Sequence, residues 1–209
     1  MNLPDPPLLV ITDRSQAVKP LPEMLDAAFA AGCRWASLRE KDLSATAQIA
    51  LAKILLPIAR LWRARLTLHG DPAVAKAAGL DGVHLPAGGD VATARAALGP
   101  QALIGLSIHS VEEARILDAT PLDYAIAGPV FVTDSKPGHG PALGAACLGA
   151  IARATAIPII AIGGICAKTV ADITLNSLGG GAVMGGVMRQ ADPQAEISAL
   201  LQALKTSRH

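Results

Sequence analysis

The chain has 209 residues, of which 51% are hydrophobic and 17% charged, a balance that supports a buried core and excludes disorder. With 18 Lys and Arg against 17 Asp and Glu, the net charge of +1 excludes a broadly basic nucleic-acid binder and an acidic tail protein. Two Phe, two Trp and one Tyr are too few for base-stacking platforms or an aromatic cage.

No apolar run reaches the ~20 residues that span a bilayer, so no membrane partner is expected. The start, Met1 to Pro7, lacks the basic and apolar regions of a signal peptide. Cys33, Cys147 and Cys166 are odd in number and lack metal-ligand spacing, which suits reduced thiols in a cytoplasmic protein. The length predicts one domain over residues 1–209.

Short branched apolar runs alternate with Ala-rich stretches along the chain. The predicted strands are 8–12, 35–39, 65–68, 82–85, 102–106, 123–127, 158–162 and 181–184. Several are apolar throughout, as parallel strands buried on both faces are. Between them, a helix over Leu21–Ala31 should stop at Gly32. Ser44 opens a helix to Trp62, with Lys53, Arg60 and Arg63 on one face and a kink at Pro57. Asp71–Pro72 and Asp192–Pro193 each pair an N-cap with proline at N1. Asp90 should cap Val91–Leu98, and Ser110 with Glu113 forms a capping box. Strand–helix units repeated in this way predict an α/β fold, a (β/α)₈ TIM barrel, with an open doubly wound sheet as the alternative. The longest non-helical stretch, Gly128–Leu143, is expected to be functional, and its 137–141 run (Pro-Gly-His-Gly-Pro) to act as a lid.

A barrel puts its chemistry at the C-terminal ends of its strands. Gly163–Gly164 and Gly185–Gly186, after strands seven and eight, allow close approach of an anion to backbone N–H groups, or else tight turns alone. Arg39, Lys41 and Lys136 would converge on a second anion, the alternative being a solvated loop with a Glu40–Lys41 pair. Ser107, Thr133 and Ser135 offer small hydroxyls. His69 and His139 are acid–base candidates in mouth loops, whereas His84 reads as a barrel-interior histidine.

The ordered segments Ile11-Thr12-Asp13, Leu38-Arg39-Glu40-Lys41-Asp42, Asp81-Gly82-Val83-His84-Leu85 and Gly105-Leu106-Ser107-Ile108-His109-Ser110 have a recognisable pattern. So do Asp123-Tyr124, the Gly128-Pro129-Val130-Phe131-Val132-Thr133-Asp134-Ser135-Lys136 run and Ala161-Ile162-Gly163-Gly164-Ile165. Together they resemble the thiamine phosphate synthase/TenI family over about residues 8 to 205. The resemblance implies a (β/α)₈ barrel. It also implies one of two reactions: joining a pyrimidine methyl pyrophosphate to a thiazole phosphate with Mg²⁺, or tautomerisation of a thiazole carboxylate phosphate. It assigns Arg39, Lys41, Ser107 and Lys136 to the pyrophosphate or carboxylate, Thr133 and Ser135 to the ring, and Gly164 with Gly185–Gly186 to the thiazole phosphate.

The chain departs from both branches. The synthase pattern has Asn-Asp where His69-Gly70 stand, and Gly-Gln-Glu-Asp where Pro86-Ala87-Gly88-Gly89 stand. Those two aspartates hold the synthase's magnesium, leaving Asp71 and Asp90, each one residue away, as substitute ligands. The tautomerase pattern places a catalytic histidine where Pro129 stands. Loops three and four resemble TenI more closely, so a TenI-like tautomerase with His69 or His139 as acid–base is the leading expectation. A synthase using Mg²⁺ and a non-catalytic binder of a thiamine precursor are the alternatives. The partners expected are phosphorylated thiazole or pyrimidine molecules, with homo-oligomerisation left open.

Overall fold

The computed structural model describes residues 3–133, 142–170 and 178–206. Its eight strands are parallel and close into a barrel in chain order, with β8 returning to pair with β1, which rules out the open sheet. They are β1 (Leu8–Ile11), β2 (Trp35–Leu38), β3 (Arg65–His69), β4 (Gly82–Leu85), β5 (Leu103–Ile108), β6 (Tyr124–Ala127), β7 (Ile159–Ile162) and β8 (Gly180–Val183). The described helices are α1 (Leu21–Ala30), α2 (Ala45–Leu61), α3 (Pro72–Ala78), α4 (Val91–Leu98), α5 (Val111–Arg115), α6 (Gly144–Arg153), α7 (Gly185–Met188) and α8 (Pro193–Thr206).

The strands are short and almost wholly buried because each faces the barrel interior on one side and the helices on the other. Leu8, Val10, Ala36 and Leu38 point into the layer shared with the helices, where they meet Met24, Leu25 and Leu55. The intervening Leu9, Ile11 and Trp35 fill the barrel interior with Leu103, Tyr124 and Ile160. Trp35 and Tyr124 meet edge to face, with centroids 4.7 Å apart. Gly105 makes that possible: a Cβ there would lie 2.1 Å from Tyr124 Cζ.

The helix ends follow local chemistry. Asp71 accepts from Ala73 N at 2.7 Å and Asp90 from Thr93 N at 2.9 Å. Ser110 and Glu113 form the reciprocal capping box, and Asp192 accepts from Ala195 N at 3.0 Å. The α2 helix continues through Pro57 but ends at Leu61, and Arg63 has φ 52°. Arg63 therefore does not complete a helical face with Lys53 and Arg60. Arg60 instead reaches Asp81, Nη1 to Oδ2, at 2.8 Å.

The two ends of the Gly128–Leu143 stretch are tied together, Leu143 N to Pro129 O at 2.8 Å and Gly144 N to Val130 O at 2.9 Å. The 137–141 run expected as a lid lies outside the described residues. Among the described residues, no helix is long and apolar enough to cross a membrane.

Candidate active site

At the C-terminal mouth of the barrel lies a cavity of about 300 Å³ whose lining is contributed by all eight strands or the loops that follow them. Its position follows from parallel strands that all end on the same face.

The β1–β2 side is stitched across the strands. Thr12 N donates to Ser37 O at 3.0 Å, and Thr12 Oγ1 donates to Glu40 Oε1 at 2.7 Å. The Thr12 hydroxyl also accepts from Arg39 N at 3.0 Å, so one side chain fixes both neighbours in the β2 loop. Glu40 is 3% exposed and also accepts from Arg14 N, at 3.1 Å to Oε2. Burial raises the Glu40 carboxyl, opposed by the bonds from Thr12 and Arg14. The alternative of a Glu40–Lys41 pair is therefore not what forms: Glu40 bridges to β1 and the loop after it.

This stitching sends the Arg39 side chain into the cavity, where Nη1 lies 3.9 Å from Met184 Sδ. Arg39 Nε is buried with no hydrogen-bond partner among the described residues. A buried charged donor without an acceptor is costly, and an anionic ligand would satisfy it. Lys41 is exposed and is not part of the lining. Partial burial, then the neighbouring Arg39 charge, lowers its ammonium pKa.

Histidines form the floor of the cavity. His84 is 1% exposed, and its Nε2 lies 2.9 Å from Ser107 Oγ. The rings of His69 and His84 are 4.8 Å apart, and His84 stacks on Tyr124 at 5.6 Å. His109 enters the lining from just beyond β5, with Nδ1 2.9 Å from Gly128 O. Ser107 and His69, both expected here, are thus brought together. His84 was read as an interior histidine, which it is, but its ring also reaches the cavity. His109, which the sequence places just beyond strand five without a role, also lines the cavity, as does Arg189, which no sequence signal marks. The register that pairs Ile108 with Ala127, and so carries His109 beside Gly128, belongs to the closed barrel rather than to any local motif.

The lining contributed by β7, β8 and the loops after them combines four glycines with side chains that include Cys166, Met184 and Arg189. Gly163, Gly164, Gly185 and Gly186 are all present, with Thr133 nearby in the lining. Gly164 has φ 66°, and a Cβ on it would lie 2.6 Å from Phe131 Cβ. The turn is held by Thr169, whose Oγ1 donates to Gly164 O at 2.7 Å and accepts from Cys166 N at 2.9 Å. Burial raises the Cys166 thiol, but the Thr169 and backbone hydrogen bonds prevail and leave its pKa below the ordinary value.

Ser135, Lys136 and His139 lie outside the described residues. Asp71 and Asp90 are exposed helix caps and do not line the cavity. Among the described residues, no carboxylate lines it and no group of three His, Cys, Asp or Glu side chains could hold a metal. A hard divalent cation prefers carboxylate oxygens, so the described lining does not fit a magnesium site.

The family model described as "Thiamine monophosphate synthase" matches residues 8–187. A "Thiamine-phosphate synthase" of Roseiflexus castenholzii is 37% identical over 195 residues, which cover 91% of this chain and 85% of that protein. A "Thiamine biosynthesis bifunctional protein ThiM/ThiE" of Symbiobacterium thermophilum is 36% identical over 188 residues. The match covers 90% of this chain but 39% of that longer protein. Among solved structures, the thiamine phosphate pyrophosphorylase of Pyrococcus furiosus superposes with a TM-score of 0.84 at 29% identity, covering 96% of each chain. These relatives favour the synthase alternative and leave the leading tautomerase expectation unsupported. Pro129 agrees, because a ring without an ionisable proton stands where that branch needs a histidine. The barrel, its mouth cavity and the matched sequence together place the chain in the thiamine monophosphate synthase family.

Proposed function

We propose that this protein is an enzyme that joins a pyrimidine methyl pyrophosphate to a thiazole phosphate, forming thiamine phosphate and releasing pyrophosphate. The observation that carries this reading is the buried, unpartnered Nε of Arg39 in the same cavity as the Gly164 and Gly185–Gly186 backbone. Two phosphorylated substrates need two separate anion sites, one on each wall, with the reacting atoms between them. The glycine wall would hold the thiazole phosphate through N–H groups. Arg39 would grip the pyrophosphate with its planar fork, aided from solvent by Lys41. Ser107, fixed by His84, would join Arg39 at the pyrophosphate, and Thr133 would face the ring.

In the reaction, the bond from the pyrimidine methyl carbon to the pyrophosphate oxygen breaks and its electron pair leaves with the oxygen. The thiazole nitrogen supplies the pair for the new C–N bond. Positive charge close to the departing oxygens lowers the barrier, and Arg39 supplies it. The described donors do not fit magnesium, so the leaving-group charge is met by the cavity's own cation, Arg39. Three free cysteines and the metabolite substrates suit a cytoplasmic enzyme.

The test is thiamine phosphate formation from the two substrates, with Mg²⁺ and then with chelator. Product in both conditions is expected. Product only with Mg²⁺ would show that other carboxylates supply a metal site. No product from folded protein that still binds thiazole phosphate would favour the non-catalytic binder, a reading supported by the glycines at positions 70 and 89.

A further inference from the structure

We propose that His109 is a catalytic residue whose Nε2 contacts the departing pyrophosphate and gives it a proton. The inference rests on the synthase reading for the identity of the anion. The geometry of the residue is independent of that reading.

His109 is held on three sides. Strand β5 ends at Ile108, which pairs with Ala127, so residue 109 lies next to Gly128 at the mouth. Its backbone N–H and that of Ser110 both donate to Glu113 Oε2, the second at 3.1 Å. Ser110 Oγ returns a bond by accepting from Glu113 N at 3.1 Å. The backbone of His109 is therefore locked by the capping box of α5, and the ring is locked by Gly128.

The ring contact determines which nitrogen does chemistry. A carbonyl oxygen can only accept, so Nδ1 must carry the hydrogen in its 2.9 Å bond to Gly128 O. Nε2 is then the nitrogen left for the cavity that His109 lines. In the imidazolium form Nε2 donates as well. As the methyl carbon–oxygen bond breaks, the Nε2 hydrogen passes to a pyrophosphate oxygen and the ring keeps the N–H pair as its lone pair. Water restores the proton after release. This adds a proton donor to the Arg39 and Arg189 charges in a cavity whose described lining has no carboxylate.

Two side chains separate this role from a structural one. In His109→Asn the amide nitrogen takes the place of Nδ1 and keeps the bond to Gly128, but nothing remains at the Nε2 position. In His109→Gln the amide reaches the Nε2 position and can donate a hydrogen bond but no proton. Imidazole ¹⁵N spectra of the full chain, with the His109 signals assigned by their absence in His109→Asn, are recorded with and without inorganic pyrophosphate. The expected results are a shift of Nε2 on adding pyrophosphate, and a loss of turnover on the order of 100-fold in His109→Asn at unchanged Tm and unchanged thiazole phosphate affinity. His109→Gln should recover pyrophosphate binding and not turnover. An Nε2 signal that ignores saturating pyrophosphate, or His109→Asn turnover within about threefold of wild type, overturns the proposal. Wild-type protein that shows the Nε2 shift but makes no thiamine phosphate would overturn the synthase reading while leaving the anion contact in place.

Discussion

The two walls of the mouth are built in different ways. The β7–β8 wall offers main chain at Gly163, Gly164, Gly185 and Gly186 beside Cys166, Met184 and Arg189, while the β2–β5 wall presents Arg39, His69, His84 and Ser107. A main-chain site needs only that no Cβ intrude. A side-chain site depends on which functional group each position carries, so a single exchange changes its chemistry. By the resemblance, Gly70 and Gly89 stand where the synthase pattern keeps carboxylates, and among the described residues no carboxylate lines the cavity. The contrast predicts that one wall fails when side chains are added and the other when they are altered.

The largest effect should come from adding a methyl group to the main-chain wall. At Gly164 a Cβ would lie 2.6 Å from Phe131 Cβ and 3.0 Å from Val132 O, on a backbone with φ 66°. Gly164→Ala should weaken thiazole phosphate binding by roughly 100-fold, the loss of a charged hydrogen bond or two. It should also lower stability by about 1–3 kcal/mol. Calorimetric titration and thermal melting measure the two. Unchanged affinity would mean that the phosphate does not rest on this wall.

The next effect belongs to the side-chain wall. Arg39→Lys keeps the charge but loses the fork and its buried Nε donor. It should reduce kcat/KM by about 10- to 100-fold. Thiazole phosphate affinity should stay within about twofold, because in the proposed site that ligand rests on main-chain N–H groups rather than on Arg39. If both quantities fell together, the division into two walls would be wrong.

Restoring the family's acid at position 89 is expected to fail for a packing reason. A Cβ on Gly89 would meet Leu85 Cβ at 2.7 Å and Pro86 O at 3.0 Å. Gly89→Asp should therefore cost about 1–3 kcal/mol of stability and confer no response to Mg²⁺ in turnover. A variant that melts like wild type and gains magnesium dependence would show that the loop still accommodates the family's site.

Whatever depends on neighbours a few residues apart was legible in the sequence. All eight strands lie where the apolar runs placed them, and the caps at Asp71, Asp90 and Ser110 formed as expected, since each bond spans two or three residues. The glycine pairs were legible because position in a barrel alone assigns them to the mouth. Pairings set by barrel closure were not. Glu40 bonds Thr12, 28 positions away, rather than Lys41, and the side chains of His109 and His84 find partners 19 and 23 positions on. The helical face expected to include Arg63 failed because a left-handed residue ends α2 too early. Arg189 carries no local signal: its Nη1 reaches Gln16 Oε1 across 173 positions.

The smallest effect tests whether Asp90 has any share in the second wall. Its carboxylate accepts from Thr93 N at 2.9 Å and from Thr93 Oγ1 at 2.6 Å, so it serves the first turn of α4. The Thr93 side-chain and backbone bonds hold its pKa below the ordinary 3.8. A lowered folded-state pKa means that the contribution is fully present above pH 3.8 and is lost as pH falls through the folded value. Asp90→Ala should therefore lower Tm by a few degrees at neutral pH. The gap to wild type should narrow once the pH drops below 3.8. Asp90→Asn, whose amide oxygen also caps, should melt close to wild type at neutral pH. Neither variant should alter turnover with Mg²⁺ or with chelator. A loss of activity in Asp90→Asn at unchanged Tm would instead make this carboxylate a cation ligand, and the contrast between the two walls would then rest on a displaced acid rather than a missing one.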